Sequence, residues 1–179
     1  MSFEFIELDI KGAFLIRPRI FGDSRGYFTE SFKKSDFDSV GIDHNFRQDN
    51  QSYSEKGVLR GLHFQRDPHA QGKLVRVVKG RIFDVGVDIR KNSDTYGRYI
   101  SAILSDENNS MLWIPEGFAH GFLALDDSIV IYKATNEYNK ESEGGVIWND
   151  PDIAIKWPDT PSEISSKDKV WPSLKELRV

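Results

Sequence analysis

Apolar and polar positions alternate in short runs along most of the chain, which is the period-two pattern of half-buried β-strands. The runs are rich in β-branched and aromatic residues, and turn residues separate them at the roughly 8–12-residue spacing of antiparallel sandwiches. The predicted strands cover residues 58–65, 73–79, 82–89, 98–104, 110–114, 117–125, 128–135 and 144–148.

Helical periodicity is weak and predicts only a short turn near residues 35–40 and another near the C-terminus. Residues 155–179 contain three prolines and two tryptophans, which indicates a tail packed on a sheet or on a partner. The sequence Lys79-Gly80-Arg81 predicts a tight hairpin. Many short strands with few helices favour an all-β jelly roll or small barrel, and an up-and-down barrel is the alternative.

Composition sets the class of protein. With 179 residues, 39% of them hydrophobic, the chain suits a single domain over residues 1–179, with its N-terminal segment and tail packing on that domain or on a partner subunit. The formal net charge of -4 argues against a nucleic-acid binder, which normally carries a basic field. No apolar run approaches the ~20 residues of a membrane span, and no signal-peptide pattern opens the chain. A cytoplasmic protein is therefore expected.

Two histidines are the main candidates for chemistry, because the chain has four histidines and no cysteine. His63 and His120 each lie in a polar island within a predicted strand. Strand alternation places His120 on the face of Phe118 and Phe122, so its imidazole is expected to point inward. Structural histidines hydrogen-bonded within a core are the alternative interpretation.

Two further polar side chains lie on strands that should be buried. Tyr132 shares its face with Val130 and is expected to point inward. Alternation leaves the direction of Lys73 open, since Val75 lies on its own face and Leu74 lies on the other. Because burial of an unpaired ammonium is costly, an inward lysine would need an anionic partner from the protein or from a ligand.

Asp84 and Asp88 face the same way on one predicted strand. They could form a pair of catalytic acids. We favour a structural network for both.

A metal centre is the next possibility for the histidines. Pro115, Gly117 and His120 have the spacing of the second cupin motif, and His63 lies where the first motif begins. The first motif normally supplies His-x-His and a nearby carboxylate, but only Asp67 follows His63. Two histidines without further donors make a poor zinc or iron(II) site. No metal and no cofactor are therefore expected, and the imidazoles are free for proton transfer.

Two long sequence blocks resemble those of the dTDP-4-dehydrorhamnose 3,5-epimerase family. They are G-V-L-R-G-L-H, which ends at His63, and W-I-P-x-G-F-A-H-G-F, which contains His120, and the likeness extends over residues 14–168. The resemblance implies a cupin-type jelly roll without metal that acts as a homodimer. It also implies epimerisation of a dTDP-4-dehydro-6-deoxyhexose at carbons 3 and 5. Further matching residues are Phe21, Asp23, Arg25, Gly26, Phe28, Glu30, Gln48, Asn50, Ser52, Gln65, Gln71, Lys73 and Leu74.

The same resemblance implies a role for each catalytic residue. His63 would be the base, and Asp168 would orient it and stabilise its imidazolium form. Lys73 would stabilise the developing enolate oxygen. Tyr132 would deliver a proton from the opposite face of the sugar.

The remaining family positions imply contacts with the substrate. Arg25, Arg60 and Lys167 would neutralise the diphosphate, and His120 would lie near the carbonyl. Tyr138 is a weaker candidate for stacking on thymine, since an aromatic residue there is more often packing. The N-terminal segment would reach a neighbouring subunit, so that the site is shared. The implied substrate-binding residues are Arg25, Glu30, Gln48, Asn50, Arg60, Lys73, His120, Glu143 and Lys167.

Three alternatives remain open from the sequence. One is an epimerase that acts at carbon 3 or carbon 5 alone, and Tyr132 favours action at both. The second is a metal-dependent cupin. The third is a module that binds sugar nucleotides without catalysis.

Overall fold

Two packed β-sheets dominate the computed structural model, which describes residues 2–177. The first sheet has the order β1 (Phe3–Glu7), β2 (Phe14–Pro18), β10 (Met111–Ile114), β7 (Lys73–Lys79), β12 (Ser128–Ala134), β5 (Gln48–Ser54). The second has the order β13 (Glu143–Gly145), β6 (Val58–Gln65), β11 (Phe118–Ala124), β8 (Arg81–Asp88), β9 (Tyr99–Ser105), and β14 (Glu163–Ile164) pairs in parallel with β6. The all-β prediction is confirmed.

The remaining elements lie outside the two sheets. Strands β3 (Ile20–Asp23) and β4 (Gly26–Thr29) form a separate hairpin. Helix α1 spans Lys34–Asp38, and a 3₁₀ turn spans Leu174–Glu176, near the two helical turns predicted. Neither of these helices, within residues 2–177, has the length and apolar character needed to cross a membrane.

The order of the strands identifies a jelly roll. Between β5 and β8 the chain moves from one sheet to the other with each strand, and β6 has β11 and β13 as antiparallel neighbours rather than β5 and β7. An up-and-down barrel would pair consecutive strands, so that alternative is wrong. The predicted hairpin at Gly80 is also wrong, because β7 and β8 belong to different sheets. Gly80, with φ of 79°, instead makes the tight crossing between them.

All eight predicted strands are present, with ends that move by up to a few residues. The pattern missed β1 to β5 and the two-residue β14. The reason is clearest in β5, whose sequence QDNQSYS has no apolar alternation. It is an edge strand whose backbone pairs with β12, and backbone hydrogen bonds leave no signature in side-chain polarity.

The main core lies between the sheets and explains which side chains point inward. Phe118, Phe122 and Val130 are buried in this core, so the inward direction predicted for His120 and Tyr132 is confirmed. Val75, which shares a face with Lys73, is also buried there. Leu74 packs instead on the outer side of the first sheet. The side chain of Lys73 therefore points between the sheets.

The C-terminal tail covers the outer face of the second sheet. Leu174, Leu177 and Ile153 pack there against Val87 and Ala119 in a second apolar cluster. The tail therefore packs on a sheet, and residues 165–171 lie next to β6.

Strands β6 and β11 approach closely at two glycines. Gly61 has φ of 129°, and a Cβ built there would lie 2.5 Å from Cα of Gly121. A bulge between His120 and Phe122 accompanies this approach. Only glycine at both positions lets the backbones come this near, and His63 then pairs directly with His120 across the strands.

We expect Gly61→Ala to lower the free energy of unfolding by about 2–4 kcal/mol, because it adds a backbone clash to an unfavourable φ. Gly41→Ala is the matched control: Gly41 has φ of 84° but open space around it, so we expect a loss of only about 1 kcal/mol. Denaturant unfolding of both variants measures the difference. Equal losses would show that the close approach contributes nothing.

Candidate active site

A cavity of about 610 Å³ opens between the sheets and takes side chains from both of them and from the C-terminal tail. Eight of the residues predicted for the site line it. They are Asn50, Arg60, His63, Lys73, His120, Tyr132, Lys167 and Asp168.

His63 and Asp168 form a hydrogen-bonded pair in this cavity. Nε2 of His63 lies 2.6 Å from Oδ1 of Asp168, and the imidazole is 30% exposed while the carboxylate is 4% exposed. Burial alone would raise the pKa of Asp168, but hydrogen bonds from His63, Gly61 and Trp171 lower it below its ordinary value. Because an ionised carboxylate only accepts, Nε2 donates and Nδ1 carries the lone pair. In this arrangement a neutral His63 can accept a proton at Nδ1.

A second pair lies deeper, where Nε2 of His120 is 2.7 Å from Oδ1 of Asp84. Both residues are buried, and burial lowers the pKa of His120 although Asp84 opposes it. The ring is therefore neutral near pH 7, with its lone pair on Nδ1. Asp84 thus belongs to a hydrogen-bonded network, as the structural interpretation predicts, and that network orients a residue that lines the cavity.

Asp88 belongs to a different network, as the structural interpretation predicts. Its carboxylate accepts hydrogen bonds from Arg90, Ser93 and Thr95 at the end of β8. A pair of catalytic acids made of Asp84 and Asp88 is therefore wrong.

Lys73 is buried between the sheets. Burial lowers the pKa of this lysine to about 8, while the charges of Asp84 and Glu143 oppose that shift. These two carboxylates are the anionic neighbours that an inward lysine was expected to need. Near pH 7 the lysine is still mostly protonated, so its ammonium is available to an anion inside the cavity.

Tyr132 completes the inner cluster. Its ring centroid is 5.8 Å from Nζ of Lys73 and 6.4 Å from the centroid of the His120 ring. Burial raises the pKa of Tyr132, and the charge of Arg60 opposes that shift. The phenol therefore keeps its proton and can act as an acid.

Polar residues at the rim hold one another in place. Arg60 donates to Oγ of Ser54 and to the carbonyl oxygen of Tyr53, at 2.9 Å each. Lys167 lies 2.6 Å from Oε1 of Glu143. These contacts hold two cations at the mouth of the cavity.

A second rim group surrounds Gln48. Its amide donates to Oδ1 of Asn50 and accepts from the backbone N–H of Tyr138. The hydroxyl of Tyr138 donates to Oε2 of Glu143, and the ring of Tyr138 is exposed. The exposed ring therefore lies beside the residues that the sequence predicts to bind the nucleotide.

Arg25 and Glu30 are not brought to the cavity of their own chain. Arg25 lies in the exposed hairpin, pairs with Asp23 at 2.5 Å and has 88% of its side chain exposed. Glu30 directly follows β4. Neither residue lines the cavity.

Sequence reasoning missed Trp171, which donates to Asp168, and Ser165, which lines the cavity and accepts from the backbone N–H of Asp168 at 3.1 Å. It also missed the role of Asp84. Asp84 carried a signal, as a carboxylate between Phe83 and Val85 in the interior of strand β8. Trp171 and Ser165 carried none, since their contacts depend on where the tail packs. Within residues 2–177, no group of three or more histidine or acidic side chains is arranged to hold a metal ion.

The burial of Lys73 should make the stability of the protein depend on pH. The folded chain releases this proton near pH 8 and the unfolded chain near pH 10.5. The unfolded state therefore binds more protons between these values, and stability rises with pH there. Relative to Lys73→Met, we expect the wild type to gain up to about 3 kcal/mol between pH 8 and pH 10.5. Denaturant unfolding at several pH values measures this, and a constant difference would contradict it.

Comparison with known proteins identifies the family of the chain. Residues 7–176 match the dTDP-4-dehydrorhamnose 3,5-epimerase family. The chain is 53% identical over 179 residues to the dTDP-4-dehydrorhamnose 3,5-epimerase of Methanothermobacter thermautotrophicus, covering 98% of this chain and 96% of that protein.

Two solved structures extend the likeness to the fold. The dTDP-4-dehydrorhamnose 3,5-epimerase of Sulfolobus tokodaii has a TM-score of 0.94 and 51% identity, covering 100% of this chain and 99% of that one. An epimerase from Legionella pneumophila in complex with dTDP-4-keto-L-rhamnose has a TM-score of 0.94 and 44% identity, covering 98% and 95%. The chain belongs to the dTDP-4-dehydrorhamnose 3,5-epimerase family.

Proposed function

We propose that this protein is a cofactor-independent dTDP-4-dehydrorhamnose 3,5-epimerase. It inverts carbons 3 and 5 of dTDP-4-dehydro-6-deoxy-D-glucose and yields dTDP-4-dehydro-L-rhamnose, in the route to dTDP-L-rhamnose. The observation that carries the proposal is the placement of His63 and Tyr132. His63 is on β6 of one sheet and Tyr132 is on β12 of the other, so a base and an acid face the same cavity from opposite walls. Inversion of a carbon needs that arrangement.

Proton removal begins at His63. Carbons 3 and 5 both flank the 4-keto group, so the loss of either proton leaves an enolate. Nδ1 of His63 takes the proton, and the electron pair of the broken C–H bond moves onto the carbonyl oxygen. Asp168, bonded to Nε2, stabilises the imidazolium that forms.

Lys73 stabilises the enolate. Its buried ammonium meets the negative charge that develops on the oxygen at carbon 4, in a cavity with little water to screen it. This interaction is stronger in the transition state than in the ground state, so it lowers the barrier.

Tyr132 returns a proton from the opposite wall. The phenol donates to carbon 5 of the enolate, the C–H bond forms on the other face and the carbonyl is restored. The phenolate then regains a proton from solvent, and the His63 imidazolium releases to solvent the proton that it took, so both groups return to their starting states. Burial favours the protonated phenol, which suits the role of an acid.

His120 has a different part from the one that the sequence suggested. With Nε2 bonded to Asp84 and the ring neutral, Nδ1 can only accept a hydrogen bond. An acceptor suits a sugar hydroxyl better than the carbonyl oxygen. We therefore assign His120 to binding a hydroxyl of the hexose.

The rim residues receive the nucleotide diphosphate. Arg60 and Lys167 place two cations at the mouth of the cavity for the diphosphate. Gln48, Asn50 and Glu143 contact the nucleotide or the sugar. The exposed ring of Tyr138 offers a stacking surface for thymine.

The active form is a homodimer with shared sites. All eight residues of β3 and β4 are exposed except the last, which is half-buried, and Phe28 and Tyr27 are 65% and 59% exposed. Large apolar side chains exposed on an extended hairpin are normally buried against another protein surface. Laid over a second subunit, the hairpin would bring Arg25 and Glu30 to the partner's cavity, which their own chain does not do.

We expect the purified protein to exchange solvent deuterium into carbons 3 and 5 of dTDP-4-dehydro-6-deoxy-D-glucose, which NMR spectroscopy detects. His63→Ala should abolish exchange at both carbons. Tyr132→Phe should spare proton abstraction more than completed inversion at carbon 5, because the base remains.

Controls distinguish this reaction from the alternatives. His69→Ala and Tyr53→Phe, which change residues outside the cavity lining, should leave exchange unchanged. Exchange at one carbon alone would identify an epimerase of a single centre. Saturable dTDP binding without exchange would identify a binding module, and activity lost to chelators with stoichiometric metal would identify a metal-dependent cupin.

A shared site predicts complementation between two inactive chains. When Arg25→Ala and His63→Ala chains are co-expressed, about half of the dimers are mixed, and each mixed dimer has one intact site of two. Activity should therefore recover to about a quarter of wild type. The matched control pairs His63→Ala with Lys73→Ala, two changes in the same cavity, and should recover nothing. Failure of the first pair to exceed its parents would refute the exchange of hairpins.

A further inference from the structure

Trp171 contacts both members of the His63–Asp168 pair. Its indole Nε1–H donates to Oδ1 of Asp168 at 3.2 Å, and this same oxygen accepts from His63. The indole ring meets the imidazole edge to face, with 6.2 Å between centroids and an interplanar angle of 71°. One side chain therefore restrains both partners.

The backbone around Trp171 holds the indole in position. Its ring lies on Gly145, where a built Cβ would come 2.3 Å from the ring, and Gly145 pairs with His63 across β13 and β6. The carbonyl oxygen of Pro172, the next residue, accepts from the backbone N–H of Ile147 at 2.9 Å. The indole thus lies over β13 immediately beside the base.

The carboxylate of Asp168 accepts three hydrogen bonds. Oδ1 accepts from His63 and Trp171, and Oδ2 accepts from the backbone N–H of Gly61 at 3.3 Å. Asp168 lies in the tail, outside the strands of either sheet, and its backbone N–H donates to Oγ of Ser165 at 3.1 Å. The orientation of its carboxylate is set by the three donors to Oδ1 and Oδ2. The indole is the only one of the three donors that the tail itself supplies.

We propose that Trp171 is a positioning residue of the base, which fixes the Asp168 carboxylate and the His63 imidazole in the geometry that proton abstraction requires. Its importance for catalysis rests on the proposed function. The hydrogen bond and the ring contact do not depend on it.

The hydrogen bond from the indole N–H also stabilises the ionised form of the Asp168 carboxylate and so helps to lower its pKa. Removal of the N–H leaves Asp168 with one donor fewer, so its pKa should rise and the pair should take up a proton at higher pH. The other titratable groups facing the pair are unchanged by that substitution. They are Arg60 on β6, Lys73 on β7, His120 on β11, Tyr132 on β12, Glu143 on β13, Glu163 on β14 and Lys167 in the tail.

Trp171→Phe tests the proposal, since it keeps a ring and removes the donor. Trp157→Phe is the matched control: its Nε1 donates to the carbonyl oxygen of Trp148 at 3.0 Å, and it packs on Phe83 away from the cavity. Both variants lose one indole hydrogen bond within the last quarter of the chain, but only one of these bonds reaches the base.

We expect Trp171→Phe to lower kcat for deuterium exchange about 10-fold, with KM changed less than about two-fold, as for loss of one bond to a charged group. The acid limb of its pH profile should move to higher pH. Trp157→Phe should change neither. Equal losses in the two variants, or an unmoved acid limb, would overturn the proposal.

Carboxyl ¹³C NMR provides a readout without turnover. The Asp168 signal, assigned with Asp168→Asn, should titrate at higher pH in Trp171→Phe than in wild type, and an unchanged midpoint would overturn the proposal.

If wild type shows no exchange, the proposed function fails while this titration still tests the contact. If Trp171→Phe does not fold, the Trp171 indole N–H signal of wild type decides. It should shift with pH at the midpoint of Asp168, and independence of pH would overturn the proposal.

Discussion

The close approach of β6 and β11 is the constraint on which the candidate active site depends. At Gly61 and Gly121 the two backbones come too near for any side chain, and the register then sets His63 opposite His120. With the cavity between the sheets, both imidazoles face it. Each imidazole keeps its orientation because a buried carboxylate accepts from its Nε2. A wider separation of the strands would move the base relative to the lysine and the phenol on the other sheet.

The two histidine–aspartate pairs look alike but differ in environment. Asp168 comes from the tail and leaves His63 partly open to the cavity, whereas Asp84 comes from the strand next to β11 and lies wholly inside the core. Solvation decides the difference in chemistry. The partly open imidazole of His63 can exchange a proton with the contents of the cavity, while burial lowers the pKa of His120, keeps it neutral near pH 7 and limits it to accepting a hydrogen bond. The same two residue types therefore serve different purposes within one cavity.

Charge in the interior is balanced across the sheets. Lys73 points from the first sheet toward Asp84 on the second and is influenced by Glu143 near the rim. Glu143 also pairs with Lys167, which lies one residue before Asp168. These charged side chains thus connect the interior to the tail. The tail carries Asp168, which bonds to His63, and Trp171, whose indole contacts both of them. A tail without sheet pairing over residues 165–171 is in this way part of the site.

The pattern along the chain was sufficient to predict the all-β class and the eight strands from β6 to β13, since alternation indicates which side chains a sheet buries. Local motifs indicated His63, Lys73, His120 and Tyr132, because a polar residue in a predominantly apolar strand can be recognised from the sequence alone. The edge strand β5 could not be predicted from the hydrophobic pattern, since backbone pairing needs no particular side chain. The direction of Lys73, the crossing at Gly80 and the contacts of Asp84 and Trp171 were decided only by the tertiary structure. Each depends on which distant segments meet, and contacts between segments far apart in the chain leave no periodic trace in either one.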